Sequence, residues 1–206
     1  MQAKLLTYYL CGYLLICFVW PALRVWRRYG VWPMVFNRRA RSAQVLIGIF
    51  FKLMLVGLVV LSGLVGWWQP DMLTVIAMPI QISVLGWGLM GGGTAICIVS
   101  QRHMGASWRI GIDDRKTALV TNGLYRFTRN PIFLGVLLCV AGWGLLLPSW
   151  WSLTVFTLTW MGIRFQVTKE EAHLLEMHSV TYREYTHSVG RFIPKIGLSK
   201  ATDGKA

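Results

Sequence analysis

The chain has 206 residues, of which 55% are hydrophobic and only 14% are charged, and it carries a net charge of +13. An ordinary soluble domain has about 25% charged residues, so the composition excludes a typical water-soluble globule and indicates a polytopic membrane protein with short polar segments. Four cysteines and four histidines show neither CxxC nor HExxH spacing, so neither a disulfide framework nor a metal site is expected.

The first apolar run covers residues 5–23. Lys4 is its only early cation, and Trp20-Pro21 is a poor small-residue cleavage site, so the run reads as a retained helix. The second run, 44–67, is interrupted only by Lys52. Lys52 lies about 12 Å along its helix from Gln44; snorkelling to the interface is a stronger reading than an intramembrane function. The third run, 73–100, contains GWGLMGGG. Its glycines, including the run Gly91, Gly92 and Gly93, suit close helix packing in lipid. A thin wall against a ligand is the second reading. The fourth and fifth runs, 131–147 and 149–165, meet at Pro148-Ser149 and predict a tight helical hairpin. These runs approach the roughly 20 apolar residues that span about 30 Å of hydrocarbon; the last two are short and call for tilt, local thinning or shielding. Cys11, Cys17, Cys97 and Cys139 all fall inside apolar runs and read as small packing residues.

Arg24, Arg27, Arg28, Arg38, Arg39 and Arg41 separate the first two runs without an intervening acid. A second basic group, including Arg102, Arg109, Arg126 and Arg129, separates the third and fourth. The second-to-third link has only Asp71, and the fourth-to-fifth link has no charge. This is the positive-inside pattern of an all-α integral membrane protein with five transmembrane helices, its N-terminus outside and its C-terminus cytosolic. A bacterial inner membrane or the endoplasmic reticulum would suit it. The topology accounts for the charge, which argues against nucleic acid, and the basic loops would attract anionic lipid headgroups.

Polar chemistry is concentrated in the loop 101–130 and the tail from residue 164. The loop segment WRIGIDD, 108–114, is too short and polar to span. In the tail, Ala172, Leu175, Tyr182 and Tyr185 recur near helical spacing, predicting an amphipathic helix against the membrane or the bundle. RFIPKIG, 191–197, reads as irregular, and the last residues as disordered. Asn130-Pro131 is a good helix start, with Asn able to cap and Pro losing no needed hydrogen bond. The unpaired N–H groups beyond it, beside Arg126 and Arg129, suit an anion; anchoring to lipid phosphates is the alternative. Glu170 and Glu171 follow the fifth run, so the hairpin should bring Arg129 and Glu170 together. Separate places for an anion and a cation suit a small zwitterion.

LVTNGLYRFTRNPIFLG, followed by EEAHL and then YREY, resembles the integral membrane methyltransferases that include isoprenylcysteine carboxyl methyltransferases and phospholipid N-methyltransferases. The resemblance covers residues 104–194. It divides the chain into three N-terminal helices (1–100), a methyltransferase core (101–195) and a tail (196–206). It implies S-adenosylmethionine as methyl donor, contacted by Thr117, Ala118, Leu119, Val120 and Tyr125 in the loop. Asn130, Pro131, Ile132 and Phe133 would contact it at the helix start, and Glu170 or Glu171 from the tail. Arg164 aligns with an arginine implicated in holding substrate; Arg129, Arg164 and Glu171 are the expected catalytic group. Asn130 stands where the family often has His, and Phe133 where it often has Tyr.

The implied reaction is in-line methyl transfer to a lipophilic acceptor, catalysed largely by positioning and desolvation. A carboxylate acceptor is ionised near pH 7 and needs no base, whereas an amine must lose a proton. No compelling base stands out, which favours an anionic acceptor such as an isoprenylcysteine-like carboxylate over a phospholipid amine. Two other readings remain: an NADPH-dependent membrane reductase of the sterol type, and a non-enzymatic membrane scaffold.

Overall fold

The computed structural model describes residues 2–30, 42–68, 76, 78–107 and 118–198. Helix α1 (Gln2–Leu14) continues through a π-turn (Leu15–Val19) into α2 (Trp20–Tyr29). The π-turn has an identifiable cause. Pro21 has no N–H to give the carbonyl four residues back, that of Cys17, so the ladder must adjust there. Gln101 Nε2 donates to Cys17 O at 2.8 Å and supplies the missing partner. Gly30, with φ 67°, ends α2 in the left-handed conformation.

Helices α3 (Ser42–Trp67) and α4 (Ile80–Met104) follow. The segments Gln2–Arg28, Leu46–Trp67 and Ile80–Met104 are long and apolar enough to cross a membrane, and the chain is an all-α, multi-pass membrane protein. Helix α5 (Pro131–Leu146) is apolar but has only 16 residues. Ser149 begins α6 with a reciprocal cap: its Oγ accepts from Ser152 N at 3.2 Å, and its N–H donates to Ser152 Oγ at 3.0 Å. The turn expected at Pro148-Ser149 is therefore present.

The closest packing in the bundle joins α4 to α5. Gly86 faces Gly142, and Gly93 faces Gly135, the two glycines of each helix standing seven positions apart. A Cβ on Gly93 would lie 2.5 Å from Gly135 O, and one on Gly142 would lie 2.5 Å from Gly86 O. Backbone meets backbone, as small residues permit in lipid. The expected packing role thus belongs to Gly86 and Gly93; a Cβ on Gly91 or Gly92 would meet nothing within 4 Å. Around this seam Leu6, Leu10, Met90 and Trp143 form a buried cluster. Trp143 Nε1 donates to Ser62 Oγ at 2.8 Å, tying α5 to α3. Cys17, Cys97 and Cys139 are buried packing residues, while Cys11 is exposed. Lys52 is exposed on α3.

Helix α6 (Trp150–Ser188) consists of two helical arms: the first runs from the hairpin through Glu170 and Glu171, the second carries Tyr182 and Tyr185, and they join across a break at Ser179 (φ 37°, ψ −104°). There the chain doubles back. Arg191 pairs with Glu171 at 2.6 Å, although 20 residues of straight helix would separate them by about 30 Å. The segment 190–197 is a closed turn, with Arg191 N donating to Ile196 O at 2.9 Å and Ile196 N to Ile193 O at 3.1 Å. Gly190 is required, because any side chain there would strike Ile193 O. Phe192 packs on Trp160 with ring centroids 5.7 Å apart, fastening the turn to α6. Residues 199–206, expected to be disordered, lie outside the described residues.

Candidate functional site

The polar groups of loop and tail meet at the start of α5. Residues 108–117, including WRIGIDD and Thr117, lie outside the described residues. Beyond them Ala118 is exposed, and Leu119 and Val120 are half-buried. A 3-10 turn, Gly123–Arg126, then leads toward α5. Gly123 has φ 58° and lies against the His103 ring, where a Cβ would clash; Leu124 N–H donates to His103 Nδ1 at 3.4 Å. The turn is thereby held on the end of α4. It presents Tyr125, which is buried and whose carbonyl accepts from Tyr185 Oη at 2.6 Å.

Residues 128–130 lie alongside the tail. A parallel bridge joins Thr128 and Gly190, and Arg129 N–H donates to Gly190 O at 2.9 Å. Thr128 Oγ1 donates to Arg191 O at 3.2 Å. Asn130 occupies the cap position of α5 but makes no side-chain cap, contrary to expectation. Its Nδ2 instead donates to Glu171 Oε1 at 3.2 Å and to Arg191 O at 3.1 Å. The N–H groups of Ile132 and Phe133 therefore receive no side-chain cap, and no earlier helical turn exists to pair them; the Asn130 carbonyl takes the next one, Leu134 N–H, at 3.0 Å.

Glu171 is the hub. Besides Asn130, it takes Arg191 through Nε at 3.0 Å and Nη2 at 2.6 Å on Oε2. Arg129 Nε lies 3.1 Å from Oε1, an ion-pair distance without hydrogen-bond alignment. The rest of the Arg129 guanidinium is directed to the tail, with Nη1 donating to Thr186 O at 3.1 Å and Nη2 to Gly197 O at 2.9 Å. The sequence paired Arg129 with Glu170; the structure pairs it with Glu171.

Glu170 has different surroundings. It accepts from Gln166 Nε2 at 2.6 Å, and no arginine among the described residues pairs with it. Burial pushes its pKa up to about 7; the Gln166 hydrogen bond opposes this and the Glu171 charge adds to it. The Gln166 side chain is buried, and its Oε1 has no hydrogen-bond partner. The Tyr125 phenol is pushed up first by burial and then by the Glu170 charge.

The other expected residues divide. Ile132 is half-buried and packs beside Ala22 and Val25 of α2. Pro131 is fully buried, and Phe133 packs against Phe51 at 6.5 Å. Arg164 stays apart: it is exposed on α6, its guanidinium 5.7 Å from the Trp160 ring centre. Arg191, Gln166, Tyr185 and His103 were not among the expected site residues. The YREY motif marked the segment of Tyr185. Nothing local marked Arg191, because its place depends on the reversal at Ser179.

Fold and site together define a multi-pass helical membrane protein with a polar mouth at the start of a short apolar helix. At the level of family, the chain matches the isoprenylcysteine and phospholipid methyltransferases. Residues 82–180 match the family model of phospholipid methyltransferases. The protein-S-isoprenylcysteine O-methyltransferase of Schizosaccharomyces pombe is 33% identical over 79 residues, which are 38% of this chain and 34% of that protein. The protein of the same description from Saccharomyces cerevisiae is 37% identical over 79 residues, 38% of this chain and 33% of its own length. The match therefore spans about a third of each of these relatives. A solved structure of the eukaryotic intramembrane Ras methyltransferase, isoprenylcysteine carboxyl methyltransferase, shares the fold. Its TM-score is 0.57 at 19% identity, covering 92% of this chain and 67% of that one.

Proposed function

We propose that the chain is an S-adenosylmethionine-dependent methyltransferase acting on a lipophilic acceptor at the cytosolic face of a membrane. Five crossings, with the N-terminus outside, put both basic loops, the mouth and the tail on the cytosolic side; Pro131–Leu146 would cross with about 24 Å of helix, tilted or shielded. Residues 101–195 would form the catalytic core. A bacterial inner membrane or the endoplasmic reticulum would house it.

The observation that carries the reading is the division of labour between the two adjacent acids. Glu171 is taken up by Arg129, Asn130 and Arg191, so these four residues position the tail against α5. Glu170, with no arginine partner among the described residues, and the buried Gln166 Oε1 are acceptors suited to an ammonium group. The first N–H groups of α5, at Ile132 and Phe133, suit a carboxylate. The donor carries both groups, so the residues fit it. Ala118, Leu119, Val120 and Tyr125 would wall the nucleoside side, with Thr117 completing the loop contact. When bound, S-adenosylmethionine supplies a methyl group on a positively charged sulfur, a good leaving group.

Arg164 is outside the cluster, exposed and beside Trp160, where it would orient an anionic headgroup or carboxylate arriving through lipid. The acceptor reading favours an isoprenylcysteine-like carboxylate over a phospholipid amine.

The test is calorimetry with S-adenosylhomocysteine on the full chain in nanodiscs, followed by transfer of labelled methyl to membrane lipids and prenylated compounds. Binding that NADPH does not compete, together with a labelled lipophilic product, is expected. Absence of binding would leave the scaffold reading, and preference for NADPH the reductase reading.

A further inference from the structure

The basic end of the first membrane-crossing helix takes no part in the proposed chemistry. Its buried face, Ala22 and Val25, packs on Met104 and Ile132. This fixes α2 against the end of α4 and the start of α5. The opposite face is exposed and carries a groove of about 300 Å³, lined among the described residues by Trp20, Leu23, Arg24, Arg27 and Arg28.

Depth along the helix decides what this groove meets. At the far end, Gln2 Nε2 reaches Ser83 Oγ at 3.3 Å and Leu146 O at 3.4 Å, so the start of α1 is level with the opposite ends of α4 and α5. From Gln2 to Arg24 the helix rises about 33 Å, and to Arg27 slightly more. The hydrocarbon core is about 30 Å thick. When the first helix spans, Arg24 and Arg27 therefore emerge at the phosphate layer, with Trp20 just inside it at the interfacial level that Trp favours. The helix WPALRVWRRY contains three arginines and no acid.

We propose that this groove is a binding site for one net-anionic phospholipid. Its phosphate lies between Arg24 and Arg27, and its glycerol and upper acyl carbons lie along Trp20 and Leu23. The spacing of 24, 27 and 28 places the guanidinium groups on one helical face, and planar guanidinium forks match phosphate oxygens. A zwitterionic lipid offers the same phosphate but brings its own cation into a cluster of cations. The site therefore selects by net headgroup charge. It does not depend on the methyltransferase reading.

The test uses the full chain in nanodiscs of equal parts phosphatidylglycerol and phosphatidylcholine, with lipids retained on the ejected protein counted by native mass spectrometry. The expected result is a preference of about thirtyfold for phosphatidylglycerol, in line with two cations at an anionic surface. R24Q/R27Q should lose most of it. R183Q, which removes an exposed arginine off the groove, should keep it. If the double variant does not fold, R24Q and R27Q singly should each lower the preference by about fivefold. Equal retention of the two lipids by the unmodified chain overturns the proposal, as does an unchanged preference in the groove variants. Displacement of phosphatidylglycerol by inorganic phosphate would mark a site for free anions and overturn it equally.

Discussion

The seam between α4 and α5 and the polar mouth at the start of α5 are built on opposite rules. In the seam, Gly86, Gly93, Gly135 and Gly142 put two backbones so close that no further atom fits; the structure there is specified by what is missing. At the mouth, Arg129, Asn130, Glu171 and Arg191 are specified by pairing, and each gains its place from a partner distant in sequence. The two regions share one helix, since Gly135 lies one turn beyond Asn130-Pro131. The seam sets where α5 lies, while the mouth sets how its first turn is finished. Damage to the first should destroy the fold. Damage to the second should leave a bundle whose end is chemically wrong.

The largest effect is expected at the seam. Gly93→Ala and Gly135→Ala each place a Cβ against backbone oxygen, at 2.5 Å and 2.6 Å respectively. Backbone cannot swing aside as a flexible side chain can, so the helices must part, at a cost of about 3 kcal/mol or more. Gly91→Ala and Gly92→Ala add their Cβ to open space and should be neutral or slightly stabilising. Thermal unfolding of the four variants in one detergent checks this. If all four behave alike, the seam is not what holds α4 to α5.

Next in size is Glu171→Gln. It leaves two guanidinium groups facing an uncharged amide, one of them nearly buried, with side-chain exposures of 3% for Arg129 and 32% for Arg191. Removing one member of a fully buried ion pair costs 3–5 kcal/mol; discounting for the solvent around Arg191, about 2 kcal/mol is expected here. Limited proteolysis should then cut faster within 190–198, because the tail loses its clasp. A tail that stays protected would show that Phe192 and the backbone bridge suffice.

The seam was largely legible in the sequence and the mouth only in part. GWGLMGGG announced close packing, and the seven-residue spacing of Gly86 and Gly93 contained the answer to which glycines pack. Reading it required the positions of Gly135 and Gly142 on the other helix. Asn130-Pro131, the Glu pair and YREY pointed to one region, and the structure brings these segments together at the start of α5. The assignment of partners was not legible. Whether Arg129 meets Glu170 or Glu171 depends on rotation about α6, and Arg191 enters only because the chain reverses at Ser179. Serine gives no signal for a reversal there, since a φ of 37° is glycine territory. The cap at Asn130 was overridden by a tertiary partner, Glu171, whose hydrogen bond is charge-assisted.

A smaller effect separates the two acids. Glu170→Gln should leave the fold intact and weaken S-adenosylhomocysteine binding by about tenfold to a hundredfold, the range for losing one hydrogen bond to a charged group. The pH dependence sharpens this. With its pKa raised to about 7, Glu170 is protonated in the folded apoprotein over a range where it is ionised in the unfolded chain. Its contribution to stability is therefore full below the unfolded value and is lost as pH rises through 7. Binding of an ammonium has the opposite sign, because it requires the ionised form: affinity should climb by up to tenfold per pH unit below 7 and level off above it. Glu170→Gln should flatten both dependences. Affinity that stays level from pH 6 to 8 in the unmodified chain would remove Glu170 as the ammonium partner and return that role to the clasp.

The smallest effect tests the reversal on which the mouth depends. Ser179 holds φ at 37° with ψ at −104°, a conformation that an L residue adopts only under strain of about 1–3 kcal/mol. Ser179→Gly relieves that strain but widens the freedom of the unfolded chain, which takes back about 0.5–1 kcal/mol. A net gain of about 1 kcal/mol is expected, read as a modest rise in melting temperature with methyl-donor affinity unchanged. Ser179→Ala keeps the strain and removes only an exposed hydroxyl, so it should match the parent chain. Should Ser179→Gly instead melt earlier than Ser179→Ala, the two arms of α6 would have to be joined by a backbone conformation that serine adopts without strain.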